Sequence, residues 1–151
     1  MAAKIGIISE HKPGEGRIPL TPVQIKQLHK DNPELTITVQ PSSQRVFQDD
    51  EFLSQDIAMS NDLMDANLVM AVKEIDVNDI HAGQAYLYFS HTIKGQDYNM
   101  SMLQHILDTG ATLLDYELIR DDKDRRLVFF GRHAGLAGMV NTLWSYGQRL
   151  K

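Results

Sequence analysis

The fold is decided by two neighbouring stretches, Asn67-Leu68-Val69-Met70-Ala71-Val72-Lys73-Glu74 and Ala85-Tyr86-Leu87-Tyr88-Phe89-Ser90-His91. Each contains a short apolar run that ends abruptly in a functional side chain, Lys73 in the first and His91 in the second. Continuous apolar runs of this length, bounded by polar segments, are typical of buried parallel strands. Because ligands bind at the carboxyl ends of such strands, a lysine and a histidine there are candidates for proton transfer.

Strands and helices alternate along the rest of the chain. Besides 67–72 and 85–90, strands are predicted over residues 4–9, 35–40, 111–116 and 127–130, the last as a hairpin arm. Helices are predicted over residues 22–30, 49–53, 98–108 and 133–149, with a helical turn at 61–66. Gly6 in the first strand indicates that another element packs closely on the backbone there. This order predicts an α/β fold, a Rossmann-like (flavodoxin-like) mostly parallel sheet with helices on both faces, in a single domain.

The composition excludes several classes of protein. The 151 residues are 42% apolar and 23% charged, with no cysteine and a formal net charge of -5, which argues against general nucleic-acid binding. No apolar run approaches the roughly 20 residues that span a bilayer, and the N-terminus lacks the pattern of a signal peptide. We therefore expect a cytoplasmic protein without a membrane segment. The six histidines show no paired spacing, so no metal site is predicted.

Three side chains are candidates for chemistry, each with a structural alternative. Arg17 follows the first strand in a loop rich in glycine and proline, where a guanidinium can grip a carboxylate, but it can also be a solvated loop arginine. Burial beside an apolar strand favours the neutral, basic form of a lysine such as Lys73, although a strand-end lysine can instead pair with Glu74. His91 suits acid–base catalysis, although a lone histidine is more often structural.

The glycine-rich segment 131–138 follows a predicted strand and opens a helix, which invites a dinucleotide-binding interpretation. The fingerprint Gly-x-Gly-x-x-Gly requires a glycine at position 133, where His133 stands. Close helix packing through small residues is the interpretation that the sequence favours.

Several motifs occur in a recognisable order. They are Lys12-Pro13-x-Glu15-x-Arg17-x-x-Leu20-Thr21-Pro22, Val72-Lys73-Glu74, Phe89-Ser90-His91-x-x-Lys94-x-Gln96, Leu114-Asp115-Tyr116-Glu117, Arg125-Arg126 and Phe130-Gly131-x-x-Ala134-Gly135-x-Ala137-Gly138. Together they cover nearly the whole chain and resemble the N-terminal domain of the alanine dehydrogenase and transhydrogenase superfamily. Within it, the resemblance is closest to lysine-forming saccharopine dehydrogenase and to the lysine–ketoglutarate reductase half of the bifunctional lysine-degrading enzyme.

The resemblance implies catalytic roles at two positions. Lys73 falls where the family has the base that takes the proton from the secondary amine as hydride leaves for NAD. His91 falls where it has the acid–base group that serves water attack on the imine and its collapse. Glu74 and Glu117 fall near the site, at positions that tune the lysine and the histidine.

The resemblance also implies binding roles. Arg17, Gln96, Arg126 and Phe130 fall, together with Lys73, where the family holds saccharopine, with arginine facing carboxylate. Arg125 falls where the nicotinamide cofactor is approached. No metal is implied at any of these positions.

The family enzymes carry a second domain that binds the cofactor, and the helix at the end of this sequence resembles the crossover helix that leads into it. We therefore expect residues 1–151 to be the N-terminal, substrate-side catalytic domain, with the cofactor-binding domain absent. NAD or NADP is expected in the complete enzyme, without tight binding and with little dehydrogenase activity in this chain alone. The expected partners are an amino acid or keto acid, a cofactor domain and a second copy of the chain. The alternatives are a stand-alone amino-acid or keto-acid binding module and a degenerate partner subunit.

Overall fold

The sheet has six strands, all parallel. A computed structural model describes residues 3–150. The strands are β1 Lys4–Ile7, β2 Thr36–Val39, β3 Ala58–Met59, β4 Leu68–Met70, β5 Ala85–Tyr88 and β6 Thr112–Asp115. They are arranged in the order β3-β2-β1-β4-β5-β6, and every neighbouring pair is parallel. The predicted α/β class is confirmed, and the strand order is that of Rossmann-type sheets.

Four α-helices accompany the sheet. They are α1 Pro22–Asp31, α2 Asp49–Leu53, α3 Asp97–Thr109 and α4 Gly131–Arg149. Single 3-10 turns lie at Val77–Asp79, Thr92–Lys94 and Tyr116–Leu118. The start of α1 follows from its sequence, because Thr21 and Gln24 cap each other reciprocally and Pro22 occupies the first turn. Helix α3 ends at Gly110, which adopts the left-handed conformation that favours glycine.

The central strand β1 contributes side chains to two apolar cores, one on each face of the sheet. Ile7 belongs to the core that includes Ile25 of α1 and Phe52 of α2. Ile8 belongs to the core that includes Met102 of α3 and Tyr86. Because neighbouring residues of a strand point to opposite faces, this alternation requires cover on both sides, as predicted.

The chain divides after Tyr116 into two compact units. The first contains the sheet with α1, α2 and α3, and the second contains α4. The predicted hairpin arm over 127–130 is wrong, because these residues form no strand and antiparallel pairing is limited to an isolated bridge between Arg120 and Arg126. Inside that bridge the Asp121 carboxylate accepts the backbone N–H groups of Lys123 and Arg125, and these bonds close the turn.

Two other local features differ from the sequence prediction. The helical turn expected at 61–66 is not a helix, because the side chains of Ser60 and Asp62 accept the backbone N–H groups two residues ahead and favour turns. The two-residue strand β3 was not predicted, since a pair as short as Ala58–Met59 carries no periodicity. The other predicted strands and helices are present with boundaries shifted by up to two residues.

Close packing on Gly6 is confirmed and gives a stability prediction. A Cβ atom at Gly6 would lie 3.1 and 3.2 Å from the terminal carbons of Leu63 and 3.3 Å from the Cβ of Ala66. We expect Gly6→Val to lower the free energy of unfolding by about 1–3 kcal/mol, because the added methyl groups overpack this core. Urea unfolding measures the change. The matched control is Gly138→Ala, where nothing in the described chain lies within 4 Å of the added Cβ. Equal stability of Gly6→Val and the unchanged chain would contradict the prediction.

Candidate active site

The candidate site lies at the carboxyl ends of β1, β4 and β5. The chain runs from β1 to β2 and β3 on one side, then crosses to β4 on the other side, so the strand order reverses between β1 and β4. In open α/β sheets this reversal point opens a crevice for ligands. The loops that leave β1, β4 and β5 at this edge carry Arg17, Lys73 and His91, respectively. The fold thus brings the three predicted residues to one edge of the sheet.

Arg17 is held in a fixed orientation by Glu15. The guanidinium donates from Nε to Oε1 of Glu15 at 2.7 Å and from Nη2 to Oε2 at 2.5 Å. The Arg17 backbone N–H also donates to this carboxylate, at 3.0 Å. The side chain of Arg17 is 45% exposed while that of Glu15 is 8% exposed, so a buried acid anchors a partly exposed arginine. This geometry differs from that of a freely solvated loop arginine.

The charges around Glu15 link Arg17 to Lys73. The hydrogen bond from Arg17 is the main reason that the pKa of Glu15 lies below its ordinary value, and the charge of Lys73 acts in the same direction. Lys73 is half-buried at the end of β4. Lys73 is thus near enough to Glu15 for its charge to act on the pKa of that carboxyl, while the ion pair of Glu15 is with Arg17.

Glu74 pairs with His91, which differs from the alternative in which Glu74 pairs with Lys73. The Nδ1 atom of His91 lies 2.6 Å from Oε1 of Glu74. When Nδ1 carries the proton toward Glu74, the Nε2 atom is left as the acid–base nitrogen. The sequence alone did not show this pair, because the two residues lie on different strands.

Burial and His91 have opposite effects on the pKa of Glu74. Burial alone raises the pKa of Glu74, but the hydrogen bond from His91, the local backbone and the charges of His91 and Lys12 bring it below its ordinary value. Because the pKa of Glu74 is lower in the folded than in the unfolded state, this carboxyl stabilises the fold. The stabilisation is complete at a pH above the unfolded pKa. That stability is lost as the pH falls through the folded pKa. The pair is therefore intact at neutral pH and weakens in acid.

A buried network holds the backbone on which His91 sits. Ser90 is fully buried and donates from Oγ to the Asp115 carboxylate at 2.5 Å, while the Asn99 side chain donates to the Ser90 carbonyl at 2.9 Å. His91 itself has a φ of 54°, in the left-handed region, which costs about 1–3 kcal/mol for a residue other than glycine. The ring of Phe89 stacks on the imidazole at 6.4 Å between centroids. These contacts fix a strained position for the histidine.

The remaining predicted residues lie in two places. Gln96 is exposed immediately before α3 and accepts a hydrogen bond from Tyr98. In the second unit, Arg125 binds Asp121 through Nε at 2.7 Å and Nη2 at 2.6 Å. There too, Nη1 of Arg126 lies 3.5 Å from Glu117, and Phe130 precedes α4. The substrate and cofactor roles of these residues stay predictions.

The glycine-rich segment does not form a dinucleotide-binding turn. Helix α4 begins at Gly131, so Gly135 and Gly138 lie inside the helix instead of in a strand-to-helix loop. The described residues of this segment therefore do not fit the pyrophosphate of NAD. Over residues 3–150 an added Cβ at Gly135 or Gly138 meets nothing within 4 Å beyond the helix's own nearby backbone, so the close-packing interpretation stays a prediction.

Over residues 3–150, no group of three or more histidine, aspartate and glutamate side chains is arranged to hold a metal ion. None of the helices in the same range is long and apolar enough to cross a membrane.

Glu10 is a residue of this site that the sequence analysis missed. Its carboxylate accepts the backbone N–H groups of Val72 at 2.6 Å and Lys73 at 3.0 Å. A loop glutamate more than sixty positions from its partners gives no local pattern from which the contact could be inferred.

Comparison with solved structures supports the fold. An L-alanine dehydrogenase superimposes with a TM-score of 0.68 at 18% sequence identity, covering 81% of this chain and 34% of that chain. The transhydrogenase from Sinorhizobium meliloti gives a TM-score of 0.65 at 17% identity, covering 79% of this chain and 37% of that chain. At these identities the likeness concerns the fold alone.

Comparison of sequences supports the family. An alpha-aminoadipic semialdehyde synthase from Arabidopsis thaliana is 39% identical over 150 residues, which are 96% of this chain and 14% of that protein. A saccharopine dehydrogenase [NAD(+), L-lysine-forming] from Emericella nidulans is 34% identical over 153 residues, covering 97% of this chain and 40% of that protein. The chain thus spans less than half the length of these relatives. The family model for the alanine dehydrogenase/PNT N-terminal domain matches residues 6–137. The chain therefore belongs to the alanine dehydrogenase/PNT N-terminal domain family.

Proposed function

We propose that this chain is the substrate-side domain of an NAD- or NADP-dependent oxidoreductase of the saccharopine dehydrogenase type, acting in lysine metabolism. The observation that carries the proposal is the grouping of Lys73, the Glu74–His91 pair and the Arg17–Glu15 pair at the reversal point of the sheet. The names of relatives at 39% and 34% identity support this substrate class.

The geometry supports a division of labour between the cationic and the acid–base groups. In the proposed reaction Arg17 binds a substrate carboxylate, and Glu15 keeps the guanidinium oriented for it. Lys73 takes the proton from the secondary amine of the substrate. His91, oriented by Glu74, delivers and removes protons as water adds to the resulting imine. A hydride acceptor is supplied by NAD or NADP when it is bound.

The second unit supplies further proposed contacts. We assign Arg126 and Phe130, together with Gln96, to the substrate, and Arg125 to the approach of the cofactor. Because segment 131–138 does not fit a pyrophosphate, we propose that a further domain holds the cofactor. An expected partner is therefore a cofactor-binding domain.

The predicted cytoplasmic location stays a prediction, because the relative from Rattus norvegicus, 38% identical over 136 residues, is named as mitochondrial.

Calorimetric titration tests the substrate assignment. We expect saccharopine to bind the purified chain and Arg17→Ala to weaken binding by about 10- to 150-fold, because a hydrogen bond to a charged group contributes about 1.5–3 kcal/mol. NAD is expected not to bind this chain alone. The matched control is Arg149→Ala, which removes an exposed arginine in the last turn of α4.

The outcomes separate the proposed function from its alternatives. Saccharopine binding that Arg17→Ala weakens and Arg149→Ala leaves unchanged supports a substrate domain. Equal binding by both variants contradicts the role of Arg17. Binding of a simple amino acid or keto acid in preference to saccharopine favours a stand-alone binding module. No binding of any of them at millimolar concentration favours a degenerate subunit.

A further inference from the structure

The hydrogen-bond ladder between β1 and β4 ends at the site. Beyond β1 the backbone N–H of Ile8 still donates to the Met70 carbonyl, at 3.1 Å. Further along, the chain after β4 pairs with β5, as Ala71 N–H donates to Leu87 and the Val72 carbonyl accepts from Phe89. The N–H groups of Val72 and Lys73 are thus left without a strand partner on the β1 side. Buried backbone donors require a partner, because an unpaired one costs free energy.

Glu10 supplies that partner from the loop after β1. Its Oε1 atom lies 2.6 Å from the Val72 nitrogen and its Oε2 atom 3.0 Å from the Lys73 nitrogen. One carboxylate therefore closes the gap between two strands with two consecutive charge-assisted hydrogen bonds. Val72 is buried and Lys73 and Glu10 are half-buried, so water competes weakly for these bonds.

The charges around Glu10 belong to the same site. Burial raises the pKa of Glu10, and the two backbone N–H groups oppose that effect. Glu15 raises this pKa further, while Arg17 lowers it. Burial, together with the charge of Glu10, raises the pKa of Tyr116 to about 12. The charged groups that change the pKa of Glu10 are therefore Glu15 and Arg17, which we place on the substrate side.

We infer that Glu10 is a positioning residue that fixes the backbone at Val72 and Lys73 and so aims both Lys73 and the following Glu74. The inference rests on the proposed function in taking Lys73 as the proton acceptor. We call the two hydrogen bonds from the Val72 and Lys73 backbones to Glu10 the clamp. Because Lys73 and Glu74 are consecutive, the clamp sets the direction of the lysine and also of the Glu74 carboxylate, which orients His91. Glu10 needs no contact with the substrate for this role.

The clamp is tested by NMR on the 15N-labelled full chain. As Glu10 ionises, we expect the amide protons of Val72 and Lys73 to shift together in one step, at a pH above the ordinary range of a glutamate. Glu10→Gln removes this step, and the matched control Glu34→Gln, at an exposed position, keeps it. If the two protons do not titrate together, or still do so in Glu10→Gln, the clamp is refuted whatever the chain binds.

The positioning role needs a readout that a purely structural clamp leaves unchanged. We measure the rate of acetylation of each lysine against pH by peptide mass spectrometry. In Glu10→Ala we expect the rate profile of Lys73 to change by at least about threefold, because both hydrogen bonds that hold the backbone at Val72 and Lys73 are lost. Glu10→Gln, which retains one acceptor oxygen, is expected to restore the profile in part. Lys26 and Lys30 of α1 serve as internal controls.

The outcomes distinguish this inference from the proposed function. An altered Lys73 profile with unchanged α1 lysines supports the positioning role, even if saccharopine does not bind. A Lys73 profile that is the same in the unchanged chain, Glu10→Ala and Glu10→Gln overturns it and leaves only a structural clamp. Equal changes at all lysines indicate unfolding and also overturn the assignment to Lys73.

Discussion

Lys73→Met is expected to lower kcat by about 10²- to 10⁴-fold in the complete oxidoreductase of which we propose this chain to be a part, because it removes the base that accepts the amine proton. Methionine keeps the length and apolar stem of lysine, so packing at the end of β4 is retained. The formation of reduced nicotinamide with saccharopine as substrate measures the effect. Saccharopine binding to the variant is expected to change less than kcat, because Arg17 and Glu15 stay in place.

The control for this prediction is Lys26→Met, which removes an exposed lysine of α1 that has no role in the proposed site. It is expected to keep the activity of the unchanged enzyme. A kcat for Lys73→Met within threefold of that of the unchanged enzyme would remove Lys73 from proton transfer. The lysine would then have the packing role of a strand-end residue.

The second large effect is expected at His91. We expect His91→Asn to lower kcat by about 10²- to 10⁴-fold in the same complete enzyme, because asparagine cannot transfer a proton near neutral pH. The amide of asparagine can still hydrogen bond to Glu74, and asparagine tolerates the left-handed φ of 54° that this position requires. The substitution therefore tests the chemistry of the imidazole more than the local fold.

The pH–rate profile provides the decisive readout for His91. The unchanged enzyme is expected to show a dependence on the ionisation of the imidazole that is missing in His91→Asn. His81→Asn, at a half-buried position outside the Glu74 pair, is the matched control and is expected to keep the profile. If His91→Asn has the same profile as the unchanged enzyme, another group performs the acid–base steps.

The loop after β1 contributes two acidic residues that each hold a partner in place. Glu10 and Glu15 both lie in that loop, and each fixes a different partner: Glu10 the backbone at Lys73, and Glu15 the guanidinium of Arg17. In the mechanism that we propose, these two acids would set the relative position of Arg17, which binds the substrate, and Lys73, which accepts the proton. Such pre-organisation reduces the reorganisation that a reacting substrate would otherwise require.

Much of the fold and the location of the site follow from the sequence by itself. The apolar runs before Lys73 and His91 predict buried parallel strands, and a parallel sheet brings the carboxyl ends of its strands to one edge. Thr21 and Pro22 predict the start of α1, and Gly6 predicts close packing, because these depend on local chemistry or on the period of one element. The hairpin arm at 127–130 was wrong because antiparallel pairing stops at the bridge between Arg120 and Arg126, and the apolar pattern of one segment does not show how far it pairs with another.

Only the tertiary structure decided which of the clustered residues are partners. The sequence left a pair between Lys73 and Glu74 open, and the fold instead places Glu74 2.6 Å from His91, which follows a different strand. Glu10 has no motif of its own, yet it binds the backbone of Val72 and Lys73, and Ser90 meets Asp115 from a third strand. The physical reason is that periodicity reports which way a side chain faces along one strand. The partner that it meets depends on strand order and register, which are set by packing over the whole sheet.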